Sequence, residues 1–278
     1  MPSKALKFDE VGYWSELKLD IVKSYAAAYS RILAAQTRPK LHHVYIDAFA
    51  GPGVVFSKNK GEFIPGSPTN ALLVQPEFKD YYLIDAEKQR TDVLTQLVGD
   101  LPNVHIREGD CNTILIKDVF PQVKYENYRR GLCLLDPYGL HLDWKVIKTA
   151  GEMQSIEIFL NFPVADINRN VLWRNPEKVD PSDIVRMNRF WGDDSWKKIA
   201  YTADRNLFGE LEKEDNETVA EGFRERLRKV AGFGRVPRPL PMRNTQGSII
   251  YYLFFASQKP TAENIIEDIF KKYRNRRQ

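Results

Sequence analysis

Cysteine, histidine and uninterrupted apolar sequence are all scarce in this chain of 278 residues, which holds two cysteines and four histidines. Cys111 and Cys133 form no CxxC pair and have few histidines nearby, which argues against a disulfide framework and against a zinc site. No stretch approaches the roughly 18 uncharged apolar residues of a membrane span, and the opening MPSKALKFDE lacks the apolar segment of a signal peptide. The expectation is a soluble protein of the reducing cytosol, with neither a membrane nor a metal among its partners.

Two further absences concern the ligand. No GxxxxGK[ST] occurs, and the one glycine-rich turn does not complete GxGxxG, so neither a phosphate-binding lysine nor a pyrophosphate cradle is supplied. Charge of one sign is also lacking in bulk, since 41 Lys and Arg face 37 Asp and Glu for a net +4. Net charge therefore selects neither a nucleic acid nor a small substrate, and the distribution has to decide.

What is present reads as one domain over 1–278. Residues 13–35 place Leu17, Ile21, Tyr25, Tyr29 and Ile32 at helical spacing and predict an amphipathic helix flanking the main sheet. The runs HVYIDAF, DYYLIDA, NVHIREG and GLCLLDP follow, each read as a strand leading into a helix, with a fifth strand at IEIFLNF. Such alternation predicts an α/β, Rossmann-like, mostly parallel, doubly wound sheet. Residues 164–230 turn charged and carry Trp173, Trp191 and Trp196, which predicts a mostly helical insertion suited to selecting a target. RVPRPLPMRN and GSIIYYLFFAS, joined through residues 244–247, predict a terminal antiparallel hairpin, and Thr261 opens a last helix.

The chemistry concentrates at strand ends. VYIDAFAGPGVV ends a strand at Asp47 and turns through Gly51 and Gly53, whose missing Cβ atoms let backbone pass close to a ligand. A lone GxG also describes an ordinary βα turn, but Asp85, Asp110 and Asp136 follow at or just past the next three strands. Any one of them reads equally well as a helix N-cap. Four in register point to the ligand-binding edge of a doubly wound sheet and to an adenosine-like ligand without an obvious phosphate.

DAFAGPG resembles the cofactor motif of S-adenosylmethionine-dependent methyltransferases, and LLDPYG resembles the DPPY motif of those that methylate exocyclic amino groups of bases. The combination of YW followed by KL, DAFAGPG, GSP, the second-strand Asp, GDCN, LLDPYG and LNFP is similar to the three-Cys-motif partner proteins, a bacterial methyltransferase-like family. The resemblance implies a class I methyltransferase fold and S-adenosylmethionine as cofactor. It places Asp47, Gly51 and Gly53 along the methionine part, Asp85 at the ribose and Asp110 at the adenine, with Phe49 and Cys111 in the same cofactor-binding set. Asp136, Pro137 and Tyr138 fall in the catalytic positions, although the motif's second proline is absent and the tyrosine stands one place forward. The family name implies a separate three-Cys-motif protein as partner.

Methyl transfer needs no nucleophilic side chain, so Cys133 reads as core, and Cys111 lacks a partner base. His141 either touches a substrate or caps its loop. Arg224, Arg226, Arg228, Lys229, Arg235 and Arg238, with Lys271, Lys272, Arg274, Arg276 and Arg277, read either as phosphate-binding clusters or as solvated faces with interspersed glutamates. Three functions stay open: methylation of a nucleic-acid base, a non-catalytic or regulatory partner keeping the fold, and methylation of a small molecule or protein.

Overall fold

In the computed structural model, which describes residues 8–205, 211–244 and 246–274, a short strand β1 (Glu10–Val11) leads into the long helix α1 (Tyr13–Ala34). Leu17, Ile21, Tyr25 and Tyr29 of α1 are buried as their spacing predicts, whereas Ile32 is exposed. The last turn of the helix lies largely in solvent, having run past the sheet it covers.

Strand β2 (His42–Asp47) is not followed directly by a helix, contrary to expectation. A hairpin of β3 (Val54–Ser57) and β4 (Glu62–Pro65) comes first, and then the short helix α2 (Ser67–Leu72). The alternation resumes with β5 (Asp80–Asp85), α3 (Lys88–Val98), β6 (Val104–Glu108), α4 (Cys111–Ile114), β7 (Arg129–Leu135), α5 (Trp144–Met153) and β8 (Ile156–Phe162). The charged segment is mostly helical: α6 (Val164–Asn170), α7 (Pro181–Trp191), α8 (Trp196–Ala200) and α9 (Asn216–Lys229). It also holds a two-stranded antiparallel pair, β9 (Tyr201–Arg205) with β10 (Leu211–Lys213), which the sequence reading omits. β11 (Leu240–Arg243), β12 (Ile249–Ala256) and α10 (Pro260–Arg274) close the described chain.

The main sheet has the order β11-β12-β8-β7-β2-β5-β6, with β12 antiparallel to both neighbours and the other pairs parallel. Its central strands are continuous apolar runs because helices cover both faces. One face buries Tyr45, Leu83, Leu134, Phe159 and Phe255 under α1, α3 and α10. The other buries Ile46, Cys133, Leu135, Leu160 and Phe254 under α5, α6, α7 and α9. Trp191 and Trp196 belong to this second core rather than to a core of their own, while Trp173 is 42% exposed. No helix among the described residues is long and apolar enough to cross a membrane.

Candidate functional site

The ladder guides the chain out of β2. Ala48 N–H donates to Leu134 O at 3.0 Å and Ala50 N–H to Ile84 O at 2.8 Å, so the glycine turn leaves between the carboxyl ends of β7 and β5. Gly51 and Gly53 take φ of +61° and +83°, a region that side chains disfavour. A Cβ at Gly53 would also meet the Leu97 and Leu94 side chains at 2.7 and 2.8 Å. Gly51 N–H donates to one Asp85 oxygen at 2.9 Å, and Glu87 N–H donates to the other at 2.9 Å. Two of the roughly four acceptor positions of the Asp85 carboxylate are thereby used.

The GSP segment closes this loop from below. Gly66 N–H and the Thr69 hydroxyl both donate to Gly53 O, at 2.8 and 2.6 Å. The approach is so close that a Cβ at Gly66 would stand 3.0 Å from that oxygen.

Asp47 is fully buried and accepts hydrogen bonds from Phe49 N–H at 3.2 Å, from the Tyr45 hydroxyl at 3.4 Å and from Ser67. Desolvation pushes its carboxyl up to about 7 against the pull of Ser67 and Phe49, with smaller contributions from the Asp136 and Asp85 charges.

Asp110 caps α4, and all four of its bonds stay within its own turn. They come from Asn112 N–H (3.3 Å), Asn112 Nδ2 (3.0 Å), Thr113 N–H (3.1 Å) and the Thr113 hydroxyl (2.8 Å). Burial opposes its charge, but these donors prevail and hold the carboxyl below its usual value. Asn112 then reaches the loop after β7, donating to His141 O at 3.0 Å and accepting from Asp143 N–H at 2.7 Å. His141 thus enters through its carbonyl, with its side chain exposed. Cys111 is buried, and desolvation with Asp110 and Asp143 nearby pushes its thiol up to about 12. Cys133 lies wholly in the core.

Beyond β7, Asp136 forms an ion pair with Lys18 of α1, which is only 9% exposed. Burial disfavours the Lys18 ammonium, yet Asp136, then Tyr251 and Asp47, outweigh it and hold its pKa above the usual lysine value. The ammonium also lies 5.3 Å from the centre of the Tyr251 ring. Pro137 is buried, while Tyr138 projects at 88% exposure. Gly139 packs so tightly on α6 that an added Cβ would stand 3.1 Å from Asp166 Oδ2.

Asp47, Gly51, Gly53, Asp85, Asp110 and Asp136 therefore share one edge of the sheet, and Lys18 is a charged group at that edge which the sequence reading misses. The basic residues near the hairpin behave differently. Arg224 pairs with Glu221, Arg226 with Asp193, Arg228 and Lys229 with Glu225, Arg235 with Glu263 and Arg238 with Glu217, so each of the six has an acidic partner, and Arg226, only 11% exposed, also packs over the Trp144 ring. Lys271 pairs with Asp268, and Arg274 donates to Arg238 O at 2.7 Å. Arg276 and Arg277 lie outside the described residues. No cluster of three or more metal-ligating side chains occurs among the described residues.

No protein-family model matches the sequence, and no curated protein matches it. Solved structures do match. A Legionella pneumophila protein of the DUF519 family model superposes with TM-score 0.50 at 12% identity, covering 92% of each chain. The methyltransferase domain of bacterial CtHen1 gives 0.40 at 10% identity, over 85% of this chain and 99% of that one. A Leishmania major S-adenosylmethionine-dependent methyltransferase gives 0.38 at 11%, over 87% and 82%. At such identities the likeness is one of fold alone: a Rossmann-like, doubly wound and mostly parallel sheet with one antiparallel strand near its end. Fold alone does not fix the chemistry.

Proposed function

We propose that this chain is an S-adenosylmethionine-dependent methyltransferase acting on an amino nitrogen, with the exocyclic amino group of a nucleic-acid base as the favoured acceptor. The observation that carries the reading is Asp136. Its carboxylate sits at the sheet edge beside the glycine loop, receives a nitrogen donor from Lys18, and is followed by the exposed ring of Tyr138.

S-adenosylmethionine would supply a methyl already activated on a sulfonium. The residues present fit it. Asp47 is a buried carboxylate bonded only by neutral donors and suits the amino-acid ammonium. Gly51 and Gly53 leave the backbone bare, and Asp85 keeps two acceptor positions for the ribose hydroxyls. The turn from Asp110 to Cys111 borders the adenine end, with Asp110 shaping the turn because its own acceptors are filled. Asp136 would accept an N–H of the incoming amine and aim its lone pair, and alignment of this kind supplies much of the acceleration in such a transfer. Tyr138 would stack on an extruded base. Trp173, Arg169 and Arg174, all exposed at the end of α6 and just beyond it, would meet the rest of the strand.

The Lys18–Asp136 pair also favours a second reading, in which the acid stays filled and the chain serves a separate three-Cys-motif protein as a non-catalytic partner.

Calorimetric titration with S-adenosylmethionine and S-adenosylhomocysteine, with Asp85→Ala as control, tests the cofactor. Transfer of labelled methyl to RNA and DNA, with Asp136→Asn as control, tests the reaction. Binding lost in the first variant, and transfer lost with binding kept in the second, are expected. Binding without transfer to any acceptor supports the partner reading, and no binding by the folded protein overturns the enzyme.

A further inference from the structure

Asn161, in the LNFP segment at the end of β8, has a buried side-chain oxygen with no hydrogen-bond partner among the described residues. A buried carbonyl left without a donor loses its water without compensation, so its persistence calls for a partner. Strand register places it. Leu135 of β7 pairs with Leu160, so Asp136 and Asn161 are the next residues on adjacent strands, and Asn161 itself pairs with Leu253 of β12.

Side-chain alternation gives the face. Leu160 and Phe162 point into the core under α5 to α9, while Glu157 and Phe159 face α1, so Asn161 faces α1 as well. Asp136 faces the same way, since it reaches Lys18, and so does Tyr251, whose hydroxyl donates to Trp14 O of α1 at 3.3 Å. Asn161 therefore lies between the strand that leads to Asp136 and the strand that carries Tyr251, under the helix that bears Lys18. Trp14 Nε1, on that helix, is a buried donor that likewise has no acceptor among the described residues.

We propose that Asn161 is a substrate-binding residue, its carbonyl taking one N–H of an amino-group acceptor while Asp136 takes the other. The proposal rests on the methyltransferase reading and narrows it: two acceptor oxygens on neighbouring strands match an NH₂ group, whereas a hydroxyl or a carboxylate could satisfy one of them at most. The resident nitrogen donor, the Lys18 ammonium, occupies Oδ2 of Asp136 and leaves Oδ1 for the substrate.

Sinefungin, in which a carbon bearing a primary amine replaces the sulfonium, carries an amine toward the acceptor side and needs no second substrate. Calorimetry should show the wild-type chain binding sinefungin about tenfold more tightly than S-adenosylhomocysteine, in the range expected for one or two hydrogen bonds involving a charged group. Asn161→Leu, with Asp136 kept, should cut the preference to about threefold while leaving the affinity for S-adenosylhomocysteine unchanged, and Asn161→Asp, which keeps an oxygen in place, should retain the preference in full. Should the leucine variant not fold, Asn161→Ala serves in its place.

A purely structural Asn161 would weaken both ligands alike. That outcome, or a preference undiminished in the leucine or alanine variant, overturns the proposal while leaving the methyltransferase reading intact. Failure of the folded wild type to bind S-adenosylhomocysteine overturns both.

Discussion

The main-chain N–H of Gly51 donates to the Asp85 carboxylate at 2.9 Å, so the acid at the end of β5 also clamps the glycine loop that leaves β2. Asp85→Ala strips a buried N–H of its acceptor, at about 1–3 kcal/mol. In a chain of this size, melting should fall by about 2–4 °C for each of those kcal/mol. Affinity for S-adenosylhomocysteine should fall roughly 10- to 100-fold, because the loop loses its pin and the ribose its acceptor. Unchanged affinity in a calorimetric titration would remove Asp85 from the site.

Asp47 makes stability depend on pH. Its carboxyl is raised from an ordinary value of 3.8 to about 7 in the folded chain. Between those values the folded state binds more protons than the unfolded state, so this group's contribution is fully present below about 4 and is lost as the pH rises through about 7. Thermal melts from pH 5 to pH 8 should show a decline that Asp47→Asn flattens. A slope identical in the two proteins would show that Asp47 does not titrate in this range.

Lys18 and Asp136 should be energetically coupled. With side chains 11% and 27% exposed, the pair is shielded enough for either partner left alone to be costly. Urea unfolding should give a loss of about 2 kcal/mol for Lys18→Met and a double variant with Asp136→Asn that loses less than the sum of the singles, by about 1–2 kcal/mol. Additive losses would mean that the ion pair does not form in solution.

Neither cysteine should react in the native protein. Cys111 is pushed up to about 12 and Cys133 well above its usual value by burial, so little thiolate exists at pH 8. A chromogenic disulfide reagent should label both only after denaturant is added. Rapid labelling of Cys111 in the folded chain would show that the α4 turn opens readily.

The sheet was legible because β2, β5, β7 and β8 are continuous apolar runs that end in turn chemistry, and acids stand at or just past the ends of the first three. The hairpin β3–β4 was not, since VVFS and EFIP are four-residue strands, too short to establish a period beside a glycine turn. Lys18 escaped notice because its partner stands 118 positions away. A signal was there nonetheless: position 18 falls on the stripe of Leu17, Ile21, Val22 and Tyr25, where a lysine must be answered by a buried acid. Around α9, Glu221 and Glu225 pair with basic residues three and four positions on, a local pattern the sequence contained, whereas Glu217 and Asp193 reach Arg238 and Arg226 only once the chain has folded. Asp110 caps with partners two and three residues on, a local pattern that the sequence alone contained.

The hairpin has a mechanical consequence. Its base is locked where Gly66 meets Gly53, and β3 pairs with β1. From there Ser57 and Asn59 donate to Glu16 at 2.7 and 3.1 Å, within the first turn of the helix that carries Lys18. The inserted strands thus act as a connecting rod between the glycine loop after β2 and the helix that carries Lys18. Lifting that helix must either break the bonds to Glu16 or drag the rod along with it.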